Sequence, residues 1–175
     1  NKTFAQSNLM KSYYDNKDYP NSVVYAEKVL ENPKTDDNVK SDAQIIIARA
    51  AIQTGDETKA RSAYAKLQTI AKGELAAEAL YYEAYFKNKD GKFEASNVVV
   101  QKLAKNYSSY KYFGAKGLIL MAKNFYGLKD SYQATYILEN VIQNFTDYPD
   151  VVSEAKTELN AIKTEEAKTN SSITK

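Results

Sequence analysis

Four stretches of this chain repeat one hydrophobic pattern: an amphipathic helix, a short polar turn and a second amphipathic helix that opens on a small residue. In the second stretch, apolar residues follow helical spacing up to the break at Thr54-Gly55-Asp56, and the spacing resumes after it. The small opening residues recur at nearly equal spacing: Ser22, Ala60, Ala95 and Ala134. This recurrence predicts stacked helix pairs, because one pair alone leaves an apolar face uncovered.

The breaks between the helices carry the residues that helix ends require. Gly55 can take the left-handed conformation and Asp56 can cap the next helix, while Asp130 with Gln133 has the spacing of a capping box. Gly73 is expected to end the second helix of its unit. A single domain at 1–168 is expected, with units at about 3–33, 40–71, 75–107 and 114–145, a capping helix at about 150–168 and a disordered tail at 169–175.

Composition removes most catalytic chemistry. The 175 residues include no cysteine and no histidine, which excludes thiol nucleophiles, cysteine metal sites and the commonest general base. The net charge of +2 gives no electrostatic case for nucleic acid. No apolar run reaches the roughly 18–20 residues that span a bilayer. We therefore expect a non-enzymatic protein without a metal, a cofactor or a membrane span.

The repeated residues resemble the tetratricopeptide repeat, a helix–turn–helix module of about 34 residues. Ala48 and Ala122 match the small position of its first helix, and Gly55-Asp56 matches its turn. An aromatic residue is expected three positions after the small one, and three units have it: Tyr13, Phe86 and Phe125. Met10 and Glu83 depart from the small position. The resemblance implies an all-α, right-handed α-solenoid of about four such units plus a C-terminal capping helix.

In this family, residues of the first helices line a concave groove that holds a peptide. The resemblance assigns seven residues to that groove: Lys11, Tyr14, Arg49, Ile52, Lys87, Lys123 and Tyr126. One basic residue on each first helix suits an acidic peptide or a C-terminal carboxylate. The asparagines of the family's carboxylate clamp are absent, so that activity is not carried over. The alternative is that these are ordinary solvated side chains.

Two further features bear on ligands. Tyrosines are concentrated in one helix and around one loop: Tyr81, Tyr82, Tyr85, Tyr107, Tyr110 and Tyr112. They predict either an aromatic groove for a peptide or glycan, or packing between repeats with the hydroxyl groups at the surface. Gly114 and Gly117 are expected where two helices approach closely.

The loops at 106–109 and 144–149 are similar to joints in bacterial envelope repeat proteins such as the Tol–Pal coordinator and the outer-membrane assembly lipoprotein. That likeness implies the periplasm or outer membrane of a bacterium, with the cytoplasm as the alternative. We expect a scaffold for protein–protein interaction in a cell envelope assembly. The alternatives are a spacer or oligomerisation segment of a longer repeat protein, which exposed apolar residues around Phe4 and Leu9 would favour, and a tyrosine-lined glycan-binding module.

Overall fold

The computed structural model describes residues 1–173, and 84% of these residues are helical. No strand occurs within this range. The helices of the described range are α1 (Lys2–Asp15), α2 (Tyr19–Leu30), α3 (Asp37–Thr54), α4 (Glu57–Ile70), α5 (Gly73–Lys89), α6 (Phe93–Asn106), α7 (Lys111–Gly127), α8 (Ser131–Asn144) and α9 (Pro149–Ile173). The all-α fold predicted from the helical periodicity is confirmed.

The chain divides into two compact units, Asn1–Glu83 and Ala84–Lys175. In the first unit α1 packs against α2, α2 against α3 and α3 against α4, and α1 also contacts α3. In the second unit α6, α7, α8 and α9 pack in the same sequential order, and α7 also contacts α9. In each unit the helices thus pack against their neighbours along the chain, and the first helix of one pair also contacts the first helix of the next pair.

The turn inside each helix pair has the same backbone conformation four times. A residue with positive φ precedes the cap of each second helix, and these residues recur at nearly equal intervals: Lys17, Gly55, Gly91 and Lys129. The next residue caps that helix, and three of these caps are aspartates whose carboxylates accept from a backbone N–H three positions on, at 3.0–3.2 Å: Asp18, Asp56 and Asp130. Each carboxylate satisfies an N–H group that would otherwise have no partner at the start of the helix. The predictions for Gly55, Asp56 and Asp130 are therefore confirmed.

The buried residues at the helix crossings lie at a constant distance from these turns, and they correct the predicted register of the third pair. The second helices place these residues in fully buried positions: Ser22, Ala60, Ser96 and Ala134. Ala95, which was expected in this set, is exposed. The first helices likewise bury Met10, Ala48, Ala84 and Ala122, so Ala84 takes the place assigned to Glu83. Ser96 Oγ donates to the carbonyl oxygen of Ala84 at 2.7 Å, which shows how closely α5 and α6 approach.

The connection that precedes the third pair is short. Only residues 71–72 join α4 to α5, whereas residues 107–110 join α6 to α7. Gly73, with φ +61°, begins α5 instead of ending α4, which ends at Ile70. The short connection brings the third turn two residues closer to the second turn than the other turns are to one another, and the predicted register placed the third pair one residue closer still.

The last helix is longer than expected. α9 runs over Pro149–Ile173 and buries one stripe of residues against α7 and α8: Val151, Ala155, Leu159 and Ile162. Residues 169–173, expected in a disordered tail, belong to this helix, while 174 and 175 lie outside the described residues. The predicted capping helix is present as an amphipathic helix with its polar residues outward.

The turn geometry predicts opposite effects for two substitutions. Lys129 has φ +67°, which costs a side chain about 1 kcal/mol relative to glycine, so Lys129→Gly should stabilise the fold by about that amount. Gly91 has φ +72°, and an added Cβ would meet nothing within 4 Å, so Gly91→Ala should destabilise by about 1 kcal/mol through backbone strain alone. Urea unfolding measures both changes. Effects of the same sign would contradict the shared turn.

The crossing positions predict a second contrast. Ala134→Leu should cost about 1–3 kcal/mol, because the larger side chain overpacks a fully buried contact. Ala95→Leu is the matched control at an exposed position of α6 and should stay within about 0.5 kcal/mol of the parent. Thermal unfolding of the two variants decides between the two registers, since the predicted sequence register requires similar losses.

Candidate functional site

The seven candidate residues lie on first helices, as the resemblance implied. Lys11 and Tyr14 belong to α1 and Arg49 and Ile52 to α3, all in the first unit. The second unit holds Lys87 on α5 and both Lys123 and Tyr126 on α7. Lys11 is exposed and the other six side chains are half-buried. Their role in binding stays a prediction, and their surroundings change what they can bind.

Candidate cations on α1, α3 and α7 are paired with carboxylates inside the protein. The pairs are Lys11 Nζ with Asp42 at 2.7 Å, Arg49 Nε with Glu78 at 3.1 Å and Lys123 Nζ with Glu158 at 3.1 Å. In each pair the acid lies on the first helix that follows, at α3, α5 or α9. Lys116 and Glu154 add a further α7–α9 pair at 2.6 Å. These charges therefore join successive first helices, instead of standing unneutralised for an acidic ligand.

The Arg49–Glu78 pair is the most buried of these contacts. Glu78 is 7% exposed, and both of its oxygens accept from Arg49: Nε lies 3.3 Å from Oε1 and 3.1 Å from Oε2, and Nη2 lies 3.1 Å from Oε1. Burial raises the pKa of the Glu78 carboxyl above its ordinary value of 4.5, although Arg49 opposes the shift. A carboxylate held on both oxygens by a guanidinium fixes the two helices that carry the pair, α3 and α5.

Tyrosines surround this ion pair. Tyr64 on α4 is buried and stacks on Tyr82 of α5, with ring centroids 4.2 Å apart and planes 12° apart. Burial raises the pKa of the Tyr64 hydroxyl far above its ordinary value, and the charge of Glu78 adds to this effect. Burial also raises the pKa of Tyr14, against the opposing charge of Arg49. The cluster therefore brings together residues of α1, α3, α4 and α5 in the first unit.

Lys87 does not share the register of the other three cations. Lys11, Arg49 and Lys123 each lie six residues before the positive-φ residue in the turn of their own pair. In the third pair, the α5 residue at that distance ahead of Gly91 is Tyr85. The same register matches Asn88, which sequence reasoning missed, with Tyr14, Ile52 and Tyr126.

Asn88 belongs to a polar network in the second unit. Its Nδ2 donates to Oδ1 of the fully buried Asn124 at 2.8 Å. The Nδ2 of Asn124 donates in turn to Ser96 Oγ and to Asn97 Oδ1, each at 2.8 Å. A buried amide with all these partners specifies one arrangement of α5, α6 and α7. The sequence signal for this network was Asn124, a polar residue two positions after the small residue Ala122.

A cleft of about 360 Å³ opens in the second unit, and we call it the aromatic cleft. It lies where α6 and α8 end, above the first turns of α7. Its main lining residues are Tyr107, Lys111, Gly114, Phe145, Asp147 and Tyr148. Backbone bonds of 3.0 Å from Tyr110 to Tyr107 and from Tyr148 to Phe145 fix the two loops. Both loops stood out in the sequence, but their convergence on one cavity did not.

The two glycines of α7 have different surroundings. An added Cβ at Gly117 would lie 3.2 Å from Leu103 and 3.3 Å from Val100, so the close helix approach expected there is confirmed. An added Cβ at Gly114 would meet nothing within 4 Å, because this glycine faces the aromatic cleft. The close approach expected at Gly114 is therefore wrong.

The Arg49–Glu78 pair predicts a pH-dependent stability effect. Arg49→Gln leaves a buried carboxylate without its partner, and because Arg49 is 40% exposed we expect a loss of about 1–2 kcal/mol at neutral pH. Since the folded-state pKa of Glu78 lies above 4.5, the folded protein binds more protons than the unfolded chain above that pH, and this group lowers stability as pH rises. The penalty of Arg49→Gln should therefore shrink as pH falls towards 4.5.

Urea unfolding at several pH values measures this penalty. The double variant Arg49→Gln with Glu78→Gln should recover part of the loss, and Lys11→Gln, which breaks an exposed pair, should cost less than about 0.5 kcal/mol. A penalty for Arg49→Gln that is the same at every pH would contradict the buried pair.

Comparison with known proteins supplies no further assignment: no family model matches the chain, and no curated protein matches it. Within residues 1–173, no group of three His, Cys, Asp or Glu side chains is arranged to hold a metal ion. The same range contains no helix with the length and apolar character to cross a bilayer.

Proposed function

We propose that this chain is a tetratricopeptide-like scaffold that binds a peptide or protein segment and catalyses no reaction. The observation that carries the proposal is the fourfold recurrence of one turn and one helix crossing at nearly equal intervals along the chain. Stacked helix pairs present rows of equivalent side chains, which suits the binding of an extended partner. The right-handed solenoid and its concave groove remain part of this proposal.

The charges on the first helices favour a partner of mixed charge. Lys11 and Asp42 are exposed by 51% and 39%, so each can exchange its internal partner for one on a ligand. Such exposed pairs contribute only about 0.2–1 kcal/mol each, which makes the exchange inexpensive. Tyr14 lies half-buried about one turn after Lys11 on α1, and Tyr126 lies likewise after Lys123 on α7; both offer apolar area with a hydroxyl. A purely acidic segment has less support than the sequence suggested.

A spacer or oligomerisation segment is the second candidate, and one observation favours it. In the first helix pair Phe4 is 67% exposed, and Leu9 and Val24 are exposed as well. A preceding helix pair, or a second chain, would cover apolar residues in such positions.

The glycan alternative has weaker support, because several tyrosines are engaged within the protein. Tyr13 stacks on Tyr25 at 5.5 Å, and Tyr64 stacks on Tyr82. Rings that face each other in this way favour the packing interpretation of the tyrosine enrichment. A location in the periplasm or at the outer membrane of a bacterium is proposed from the loop resemblance alone, with the cytoplasm as the alternative.

The scaffold is tested by partner capture from a bacterial envelope fraction, followed by titration of the purified partner. Lys11→Gln with Lys123→Gln should weaken binding several-fold and flatten its salt dependence, because both cations lie on the proposed surface. Arg49 is not substituted, because its loss would leave the buried Glu78 carboxylate without its partner. The control pair Lys102→Gln and Lys105→Gln makes the same change in net charge on an exposed part of α6 and should have no effect.

The tyrosine pair Tyr14→Ala with Tyr126→Ala separates the two kinds of contact. A larger loss than in the lysine pair means that aromatic packing carries the affinity. If neither pair alters the affinity of a captured partner, the first helices do not form the binding surface. Concentration-dependent assembly of the chain, lost on Phe4→Ser, would establish the oligomerisation function instead.

A further inference from the structure

We propose that the aromatic cleft is a recognition pocket for one aromatic or large aliphatic side chain of a partner peptide, in a segment that also carries an acidic and a basic residue. The inference deepens the proposed scaffold function and rests on the partner being a polypeptide. It places a second contact on the second unit, at the ends of α6 and α8, apart from the seven first-helix candidates.

The first support is the placement of aromatic residues in equivalent loop positions. Tyr107 and Phe145 each follow the last residue of a second helix, and Tyr110 and Tyr148 each lie three positions further on. The two loops therefore place aromatic rings at the same points of consecutive repeats. The same positions after α2 and α4 in the first unit hold residues of other types: Glu31, Lys34, Ala71 and Glu74. The turn itself thus does not require aromatic rings.

The second support is the open floor of the cleft at Gly114. Gly114 lies inside α7, where glycine costs about 1 kcal/mol relative to alanine. Its φ is not positive, and an added Cβ would meet nothing within 4 Å. Neither backbone conformation nor packing thus requires this glycine. Its absent side chain leaves the cavity open down to the helix backbone, with Leu118 as an apolar neighbour one turn on.

The third support is a pair of unmatched charges at the rim. Lys111 and Asp147 both line the cleft and are exposed. Within residues 1–173 neither side chain has a hydrogen-bond or ion-pair partner, unlike Lys11, Arg49 and Lys123 on the first helices. A ligand gains from these groups without displacing an internal partner. One cation and one anion beside an apolar cavity complement a hydrophobic side chain flanked by both signs of charge.

The rings favour a peptide side chain over a sugar. Phe145 and Tyr148 are partly buried against the core of the second unit, and Tyr112 meets Tyr148 edge-on at 5.7 Å with an interplanar angle of 66°. Tyr112 is itself held by a 2.9 Å bond from its hydroxyl to Asp150. Sugar binding needs a ring with an open face, whereas partly embedded rings around an apolar floor form a pocket. The volume lies at the lower end of the roughly 300–1,000 Å³ of small-ligand sites, which suits one side chain.

The test is an NMR titration of the ¹⁵N-labelled chain with defined probes. Ac-Glu-Phe-Lys-NH₂ and Ac-Lys-Phe-Glu-NH₂ sample both charge orders, Ac-Glu-Ala-Lys-NH₂ lacks the anchor, and cellobiose represents a glycan. We expect at least one phenylalanine peptide to shift the amide signals of Gly114 and of the two loops and to saturate in the millimolar range. The alanine peptide should bind about tenfold or more weakly.

Two matched pairs of variants locate the binding. Gly114→Phe should fill the floor and abolish the shifts, whereas Gly114→Ala should keep them, and circular dichroism should show both variants folded because the position is unobstructed. Lys111→Gln should weaken binding several-fold, and Lys105→Gln, an exposed lysine of α6 outside the cleft, should leave it unchanged.

Four results would overturn the inference. The first is that neither phenylalanine peptide shifts the amide signals up to about 10 mM, and the second is that Gly114→Phe binds the peptide as the parent does. The third is a response to cellobiose alone. The fourth is self-association of the chain that Gly114→Phe abolishes, which would make a second copy the occupant. The scaffold is judged separately with the captured partner. If Gly114→Phe keeps full affinity for that partner while the lysine or tyrosine pair loses it, the cleft proposal fails and the scaffold stands.

Discussion

The close crossing of the two helices in each pair is the constraint on which the rest of the structure depends. It needs small or unbranched side chains at the crossing, and each unit buries such residues there; at Ser96 the hydroxyl reaches the backbone oxygen of Ala84. The crossing fixes which residues of each helix face outward, and hence which charges lie beside the following first helix. A left-handed residue and a helix cap before each crossing set the direction from which the second helix enters.

Sequence periodicity predicted the helices, the turns and the caps, because these depend on near neighbours along the chain. It failed for the register of the third pair, which depends on the length of a connection, and for contacts between residues that are far apart in the sequence. The short connection before α5 shifts the third pair, so Ser96 and Ala84 replace Ala95 and Glu83 at the crossing, and Tyr85 replaces Lys87 beside the other groove candidates. The predicted register allowed for a shorter interval before the third pair but placed that pair one residue too early, and its crossing positions carried the same error.

The charges illustrate a second limit of prediction from the sequence. A row of cations on the first helices looks like a site for an acidic ligand as long as its surroundings are unknown. The carboxylates that neutralise Lys11, Arg49 and Lys123 belong to the next first helix, with a whole second helix in between, and only the fold brings each within salt-bridge distance. The buried Asn124 is similar, since its hydrogen-bond partners come from two other helices.

A ligand gains more from charged groups that folding leaves without a partner than from groups that are already paired inside the protein. In the first unit the Arg49–Glu78 pair and its tyrosines have each other as partners, so a ligand there competes with contacts that already exist. In the second unit Lys111 and Asp147 stand beside a cavity whose floor is a glycine that neither strain nor packing requires. Folding gains nothing from an open cavity, since a filled one would add packing contacts, and it gains nothing from two exposed charges that have no partner. Binding of a partner would give that arrangement a use, and this places the stronger case for recognition at the loop end of the second unit.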